Sequence, residues 1–262
     1  MPPKLESTPH YIIGELKFCS DPWPPYASVA TDENPGYIIE IIKAIYEPLG
    51  YDIKYENIPW SRCIRDTRDG IFDALAGADV REVPDFIFPE LSIGTTKPTF
   101  FTRSDYNWKY HEISSLEDIR LGSIQDYTYT PVLDAYIRVH QSDKHVTIVN
   151  GNNALLQLID LLQANRIDVF VENQPVVDFT LSQLKIEAGK IRSAGSAGTG
   201  VLLYLPFSPK YQESRELVEL FDRGIVQLRE NGILEKILSK YQLKDWVEEA
   251  EHIHKKLLGS KN

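Results

Sequence analysis

The sequence predicts an α/β protein made of two units of similar design, each a mainly parallel sheet flanked by helices. Two observations carry this. Over the first third of the chain, short strand-like runs alternate with stretches of helical period in the order β-α-β-α-β, and strands joined by crossover helices run parallel. A second βαβ series of the same kind runs from about Tyr106 to Gly198.

In the first unit, Leu16–Cys19 reads as a strand. The stretch Asp21-Pro22-Trp23-Pro24-Pro25-Tyr26 ends it, where three prolines fix φ, remove backbone donors and leave a stiff extended loop. Tyr37–Tyr46 keeps its apolar residues at helical spacing and stops at Pro48-Leu49-Gly50. Tyr51–Ile58 alternates as a strand, Ser61 is placed as the cap of a helix through Arg62 and Arg68 to Gly70, and Phe72–Gly77 is a short buried strand. In the second unit Leu121–Gln125, Val146–Val149 and Ile167–Val171 are strands. Pro131–Val139, Ala154–Ala164 and Pro175–Leu184 are helices, with Asn152-Asn153 capping the middle one. Past the glycine-rich linker Gly195–Gly200 comes the apolar strand Val201–Leu205. A helical stretch then runs from about Lys210 to Tyr241, interrupted at Asn231-Gly232.

Composition narrows the function classes. Of 262 residues, 42% are hydrophobic and 25% charged, which excludes a disordered chain. Lys and Arg number 28 against 38 Asp and Glu, a net charge of −10 that disfavours phosphate backbones and anionic lipid as partners. No apolar run is long enough to span a bilayer. Met1–Ser7 lacks an apolar signal core, so the chain reads either as cytoplasmic or as a mature form whose export signal has been removed. Cys19 and Cys63 show no Cys-x-x-Cys spacing. One bridge and two unpaired core thiols are both open to them, with the unpaired thiols favoured. No Ser-His-Asp order, metal-ligand spacing or phosphate loop occurs, and Gly195-x-x-Gly198-x-Gly200 has the wrong spacing for a dinucleotide fingerprint.

With its motifs in these places, the chain resembles the family 3 extracellular solute-binding proteins of bacterial ABC importers, the polar amino acid receptor group. The resembling residues span about Leu16 to Tyr241: the Asp21–Tyr26 loop, Gly36–Ile41, Arg68–Ala74, Ser115–Ile119, Asn165–Val169 and Glu230–Tyr241. The resemblance implies a type II periplasmic-binding-protein fold, two α/β lobes joined by two crossover strands as a hinge. Carried onto this chain, lobe 1 is residues 10–104 plus 200–243, lobe 2 is 105–199, and 244–262 is a C-terminal helical extension. The crossovers fall at Phe100–Arg103 and Gly200–Leu203. Ligands of open α/β sheets lie outside the carboxyl ends of the strands, here in the cleft between lobes. The resemblance further implies a monomeric periplasmic receptor, its export signal removed, that takes no cofactor and no metal and binds no nucleic acid. Its solute would be an amino acid or related small carboxylate, and its partner an inner-membrane ABC permease.

Arg81 follows the buried strand, where the family's arginine makes a bidentate contact with a ligand carboxylate, as a guanidinium fork suits; its alternative is a surface pair with Glu82 or Asp85. Asp79, in the Gly77–Val80 stretch that replaces the family's serine or threonine donors, joins the binding candidates. Trp60 and Arg62, at a helix start on the cleft rim, offer a stacking face and an anion contact, with core packing and a pair to Asp66 one turn on as alternatives. Trp23 and Tyr26 form an aromatic wall on the stiff loop or pack in the core, and Asp21 holds an ammonium or caps the turn. On lobe 2, Thr128 in the Asp126–Tyr129 loop meets a carboxylate or caps a helix, and the family usually has glycine where Asp126 stands. Where family receptors for α-amino acids place an ammonium-binding aspartate, this chain has Glu172-Asn173, and both are candidates.

Three function classes follow. The leading one is a non-catalytic receptor that captures a small polar solute between two lobes for ABC-type import. The second is the extracytoplasmic ligand-sensing domain of a signalling receptor, with the helix from Asp245 to Leu258 leading onward rather than packing on lobe 1 through Trp246, Val247, Ile253 and Leu257. The third is a dehydratase-like enzyme on the same fold, with Glu172 as its acid.

Overall fold

The computed structural model describes residues 13–151, 153–184 and 189–259. Strand β1 (Gly14–Ser20) is the middle of a parallel sheet between β2 (Tyr51–Asn57) and the two-residue β3 (Ala74–Leu75), with crossovers through α1 (Tyr37–Tyr46) and α2 (Trp60–Arg68). Seven of the ten residues of α1 are buried, because the helix is covered by the sheet on one side and by later helices on the other. The expected Phe72–Gly77 strand shrinks to β3 because its neighbours pair through single bridges from Ala74 to Phe207 and from Ala78 to Tyr204. Helix α2 starts at Trp60 behind Pro59, so Ser61 lies inside its first turn and makes no capping bond, contrary to the sequence reading. Stacking α2 on β1 brings Cys19 and Cys63 into one small apolar core with their Cα atoms 5.8 Å apart, and they are bridged. That corrects the expectation of two unpaired thiols.

The chain then passes through β4 (Gly94–Thr96) into β5 (Pro98–Arg103). Strand β5 belongs to a five-stranded sheet with β6 (Leu121–Ile124), β7 (Val146–Val149), β8 (Val169–Asn173) and β9 (Ile191–Ser196), in the order β7-β6-β8-β5-β9. β6 runs parallel to β7 and β8, whereas β5 is antiparallel to β8 and β9. Helices α3 (Pro131–His140), α4 (Ala154–Gln163) and α5 (Gln174–Gln183) flank this sheet. Phe100–Arg103, expected as a crossover, therefore lies within a sheet. Phe100 and Phe101 are both buried, in apolar clusters on opposite faces of β5, and the passage between lobes falls nearer Lys97. The return passage runs through β9 into β10 (Val201–Leu203), which pairs antiparallel with β4 as a two-stranded ribbon.

Two other sequence assignments shift. β8 starts at Val169 rather than Ile167, because Asp168 is held in the turn before it by the Arg120 guanidinium at 2.6 Å. Gly195, read as linker, lies in β9 with φ 110°, where a Cβ would come within 2.8 Å of the Tyr110 carbonyl oxygen. Asn153 precedes α4 without a side-chain capping bond, and Asn152 lies outside the described residues.

After β10 the chain returns to the first lobe as α6 (Ser214–Glu230) and α7 (Ile233–Lys240), packed on α1, and ends in α8 (Val247–Gly259). Of the four apolar contacts expected of the last helix, Trp246 and Ile253 are buried, Val247 is exposed, and the Leu257 side chain lies outside the described residues. Helix α8 sits on the ribbon: the Thr95 hydroxyl donates to Glu249 at 2.7 Å, and Ile253 faces Gly200.

Candidate functional site

The two lobes meet over the carboxyl ends of β1 and β6, and a cavity of about 700 Å³ lies between them, a volume suited to a small solute. The first lobe supplies the loop after β1, with Asp21 and Trp23, and the first turn of α2, with Trp60. The second lobe supplies Tyr127 after β6, Glu172 at the end of β8, and Phe179 of α5. A smaller pocket of about 70 Å³ continues inward beside Asp79, Glu82, Thr128 and Asn173.

The stiff loop does what its prolines suggested, with one change of role. Trp23 and Tyr26 stack at 4.1 Å between ring centroids, but only Trp23 faces the cavity. Tyr26 lies behind it, buried, with its hydroxyl donating to the Thr95 carbonyl at 2.9 Å. Tyr26 is thus a backing for the wall rather than its surface. The Pro24-Pro25 peptide bond in this loop is cis.

Arg81 has its fork occupied, and Arg62 is tied by one bond on the exposed face of α2. Arg81 donates through Nε to Asp79 at 2.6 Å and through Nη2 to the same carboxylate, which holds its guanidinium even more firmly charged than usual. Arg62 donates to Asp66 at 3.1 Å, one turn along α2, on an exposed face. Among the described residues, neither arginine lines either cavity, and no lysine, arginine or histidine does. Asp79, counted as a binding candidate, is engaged as the partner of Arg81.

Carboxyl groups face the cavity from both sides. The half-buried Asp21 accepts a hydrogen bond from the Tyr127 hydroxyl at 3.2 Å, a contact between the lobes. Burial pushes its carboxyl up to about 6, against the Tyr127 bond. Glu172 is fully buried, and its Oε1 accepts from the backbone N–H of Asn173 at 2.7 Å and from Asn173 Nδ2 at 3.1 Å. Its Oε2 has no partner, and the indole N–H of Trp23, beside the same carboxyl, is also buried unbonded. Burial raises Glu172 to about 7, against the hydrogen bonds it accepts. Asn173 is used locally as well, since its Oδ1 accepts from the Lys97 N–H at 2.8 Å.

Thr128 lies against Glu82 of the other lobe, and burial raises that carboxyl to about 7, with Asp79 adding to the rise. Helix α3 starts at Pro131 with Thr130 as its cap, so Thr128 is a cleft residue and not a helix cap. Asp126 stands in the left-handed region at φ 65°, the backbone conformation glycine adopts freely and the reason glycine suits this place.

The structure therefore gathers Asp21, Trp23, Trp60, Glu172 and the inner Asp79, Thr128 and Asn173 around one cleft, and leaves out Tyr26, Arg62 and Arg81. Sequence reasoning missed Tyr127, Glu82 and Phe179. Phe179 shares a helical face with Val176, Thr180 and Gln183, a spacing that could have flagged it. The His140–Asp143–His145 cluster lies outside both cavities, with each Nδ1 within 3.0 Å of the shared carboxylate.

Residues 16–244 match the family model described as bacterial extracellular solute-binding proteins, family 3. No curated protein matches the sequence. Among solved structures, a Streptococcus mutans protein from a study of glutathione import through GshT and the cystine ABC importer TcyBC aligns with a TM-score of 0.72. It is 16% identical, over 88% of this chain and 98% of that one. A histidine-bound ABC uptake transporter substrate-binding protein from Streptococcus pneumoniae aligns with a TM-score of 0.70 and 14% identity, over 87% and 92%. A histidine kinase sensor domain similar to periplasmic binding proteins aligns at 0.69 and 19%, over 89% and 99%. These likenesses establish the two-lobed α/β architecture. Among the described residues no helix is long and apolar enough to cross a membrane.

Proposed function

The chain belongs to the bacterial extracellular solute-binding proteins, family 3, and from that membership we propose that it is a non-catalytic periplasmic receptor, monomeric, that captures a small polar solute between its lobes for an inner-membrane ABC permease. The observation that carries this reading is the cavity of about 700 Å³ walled by both lobes. Among the described residues two passages join the lobes, through β4–β5 and β9–β10, so a closing rotation about them leaves each sheet intact. The Cys19–Cys63 bridge supports an oxidising compartment. Asp21, Trp23, Trp60 and Glu172 are the residues proposed to touch solute, with Asp79, Thr128 and Asn173 lining the inner end.

The test is a thermal-shift panel of amino acids, amines, carboxylates and sugars, followed by small-angle scattering with any hit. A ligand at about a thousand times its Kd adds about 4 kcal/mol, on the order of 10 °C for a chain of this size. A shift accompanied by a smaller radius of gyration supports a closing receptor. A panel without any shift refutes it.

A second reading, a ligand-sensing domain, is favoured by one feature. Helix α8 lies beyond the matched residues and rests on the β4–β10 ribbon, where closure would move it. A spin label on α8 whose distance to α6 stays fixed on solute binding would refute that coupling.

A further inference from the structure

Resting on the receptor reading, we propose that the solute is an organic cation without a carboxylate, an amine, guanidine or quaternary ammonium, and not an α-amino acid. The charges that face the cavity decide this. A carboxylate entering the cleft is held best by a cationic side chain, and among the described residues none lines it. Of the two arginines placed near it by sequence, Arg81 gives its fork to Asp79, and Arg62, bonded through Nε to Asp66, lines neither cavity. The groups that do face the cavity are Asp21 from one lobe and Glu172 from the other, with Asp32, Glu33 and Asp126 toward its mouth. In a desolvated cleft these repel an anion and attract a cation.

Glu172 gives the site a specific anchor. The residue is 1% exposed and lines the cavity, and its Oε2 makes no hydrogen bond of normal geometry, with only the Trp23 indole N–H beside the carboxyl. An ammonium or guanidinium N–H supplies the missing donor, as a charge-assisted hydrogen bond. The walls suit the same chemistry: Trp23, Trp60, Tyr127 and Phe179 present aromatic rings, whose faces hold cations.

One feature pulls the other way. The first turns of α2, α4 and α5 reach the cavity without side-chain caps, and helix N-termini favour anions. Each is equivalent to about half a positive charge, so the three together offset about one and a half carboxylates. Asp21 and Glu172 alone exceed that, and the mouth adds more.

The experiment is calorimetric titration of the full chain with matched pairs that differ by one carboxylate, agmatine against L-arginine and cadaverine against L-lysine, with choline as a third cation. The decarboxylated member of each pair is expected to bind at least about 10-fold tighter. Glu172→Gln should weaken it about 10- to 100-fold through the lost charge-assisted bond. Trp60→Phe, which keeps a ring at the partly buried rim, should weaken it about 2-fold or more through the smaller cation–π surface. Tighter binding of the amino acids, or binding only of neutral or anionic solutes, overturns the cation class and leaves the receptor reading standing. Absence of binding by every solute class overturns both.

Discussion

Raising the pH from about 5 to about 8 should destabilise the empty protein, and Glu172 is the main reason. Its carboxyl is raised from 4.5 to about 7 by burial. Between those values the folded chain holds a proton that the unfolded chain has released, so the folded state loses stability as pH rises. At about 1.4 kcal/mol per tenfold, the loss is about 3 kcal/mol. Asp21, raised to about 6, adds in the same direction. The charged and titratable groups that face Glu172 from neighbouring elements are Asp21, Tyr26, Tyr127 and Tyr129, all neutral or negative, so none offsets the effect. For a chain of this size the fall is about 6–12 °C in Tm. Differential scanning calorimetry of ligand-free wild type and Glu172→Gln at a series of pH values isolates it, because the variant removes the titrating group whatever its baseline stability. The wild-type Tm should fall more steeply. Parallel Tm–pH curves for the two proteins refute the reasoning. A bound cation reverses the sign, since it favours the ionised carboxyl and stabilises more at high pH.

Three further outcomes are expected. Reducing the Cys19–Cys63 bridge opens a loop of 44 residues and should cost about 4 kcal/mol in denaturant unfolding with and without reductant. Gly36→Ala should lose about 2 kcal/mol or more, because Gly36 has φ 103° and a Cβ there would lie 2.5 Å from the Tyr26 carbonyl oxygen; an unchanged Tm would show that the Trp23–Tyr26 loop can yield. Trp246→Ala should cost about 3–5 kcal/mol, since its buried indole packs on the first lobe and donates to Ser92 at 3.0 Å.

Local patterns in the sequence place most elements well, and α1 agrees to the residue because its apolar spacing and its stop at Pro48 leave no alternative. What depends on distant partners is less legible. β4 and β9 form only because β10 and β5 lie beside them, and which sheet the Phe100–Arg103 strand joins depends on β8 and β9 in the same way. The bridge between Cys19 and Cys63 depends on stacking of α2 on β1, which spacing alone does not reveal. At the site, the aromatic and acidic candidates of the stiff loop were visible because proline fixes where that loop goes. Tyr127 was not singled out, since its partner Asp21 is 106 residues away. The arginines show the limit most sharply. A guanidinium can be placed near a cleft by its neighbours in sequence, but whether its fork is free depends on a carboxylate two or four residues along.

That limit changes the electrostatics of the whole site. Because Arg81 is neutralised by Asp79, the carboxyls facing the cleft have no compensating charge of their own. Asp21 and Glu172 sit on opposite lobes, and each raises the other's difficulty of ionising when the lobes approach. In the empty cleft above neutral pH their repulsion opposes closure. On the proposed reading a cation between them removes that repulsion and gains an attraction to each, so the two groups would draw the lobes together around the solute. A solute then shifts the closing equilibrium by its differential affinity for the closed form, which is the only way a ligand can shift one. If the proposed closure is coupled to charge in this way, replacing either carboxyl with an amide should make the empty protein more compact in scattering at about pH 8 while it weakens the response to added cation.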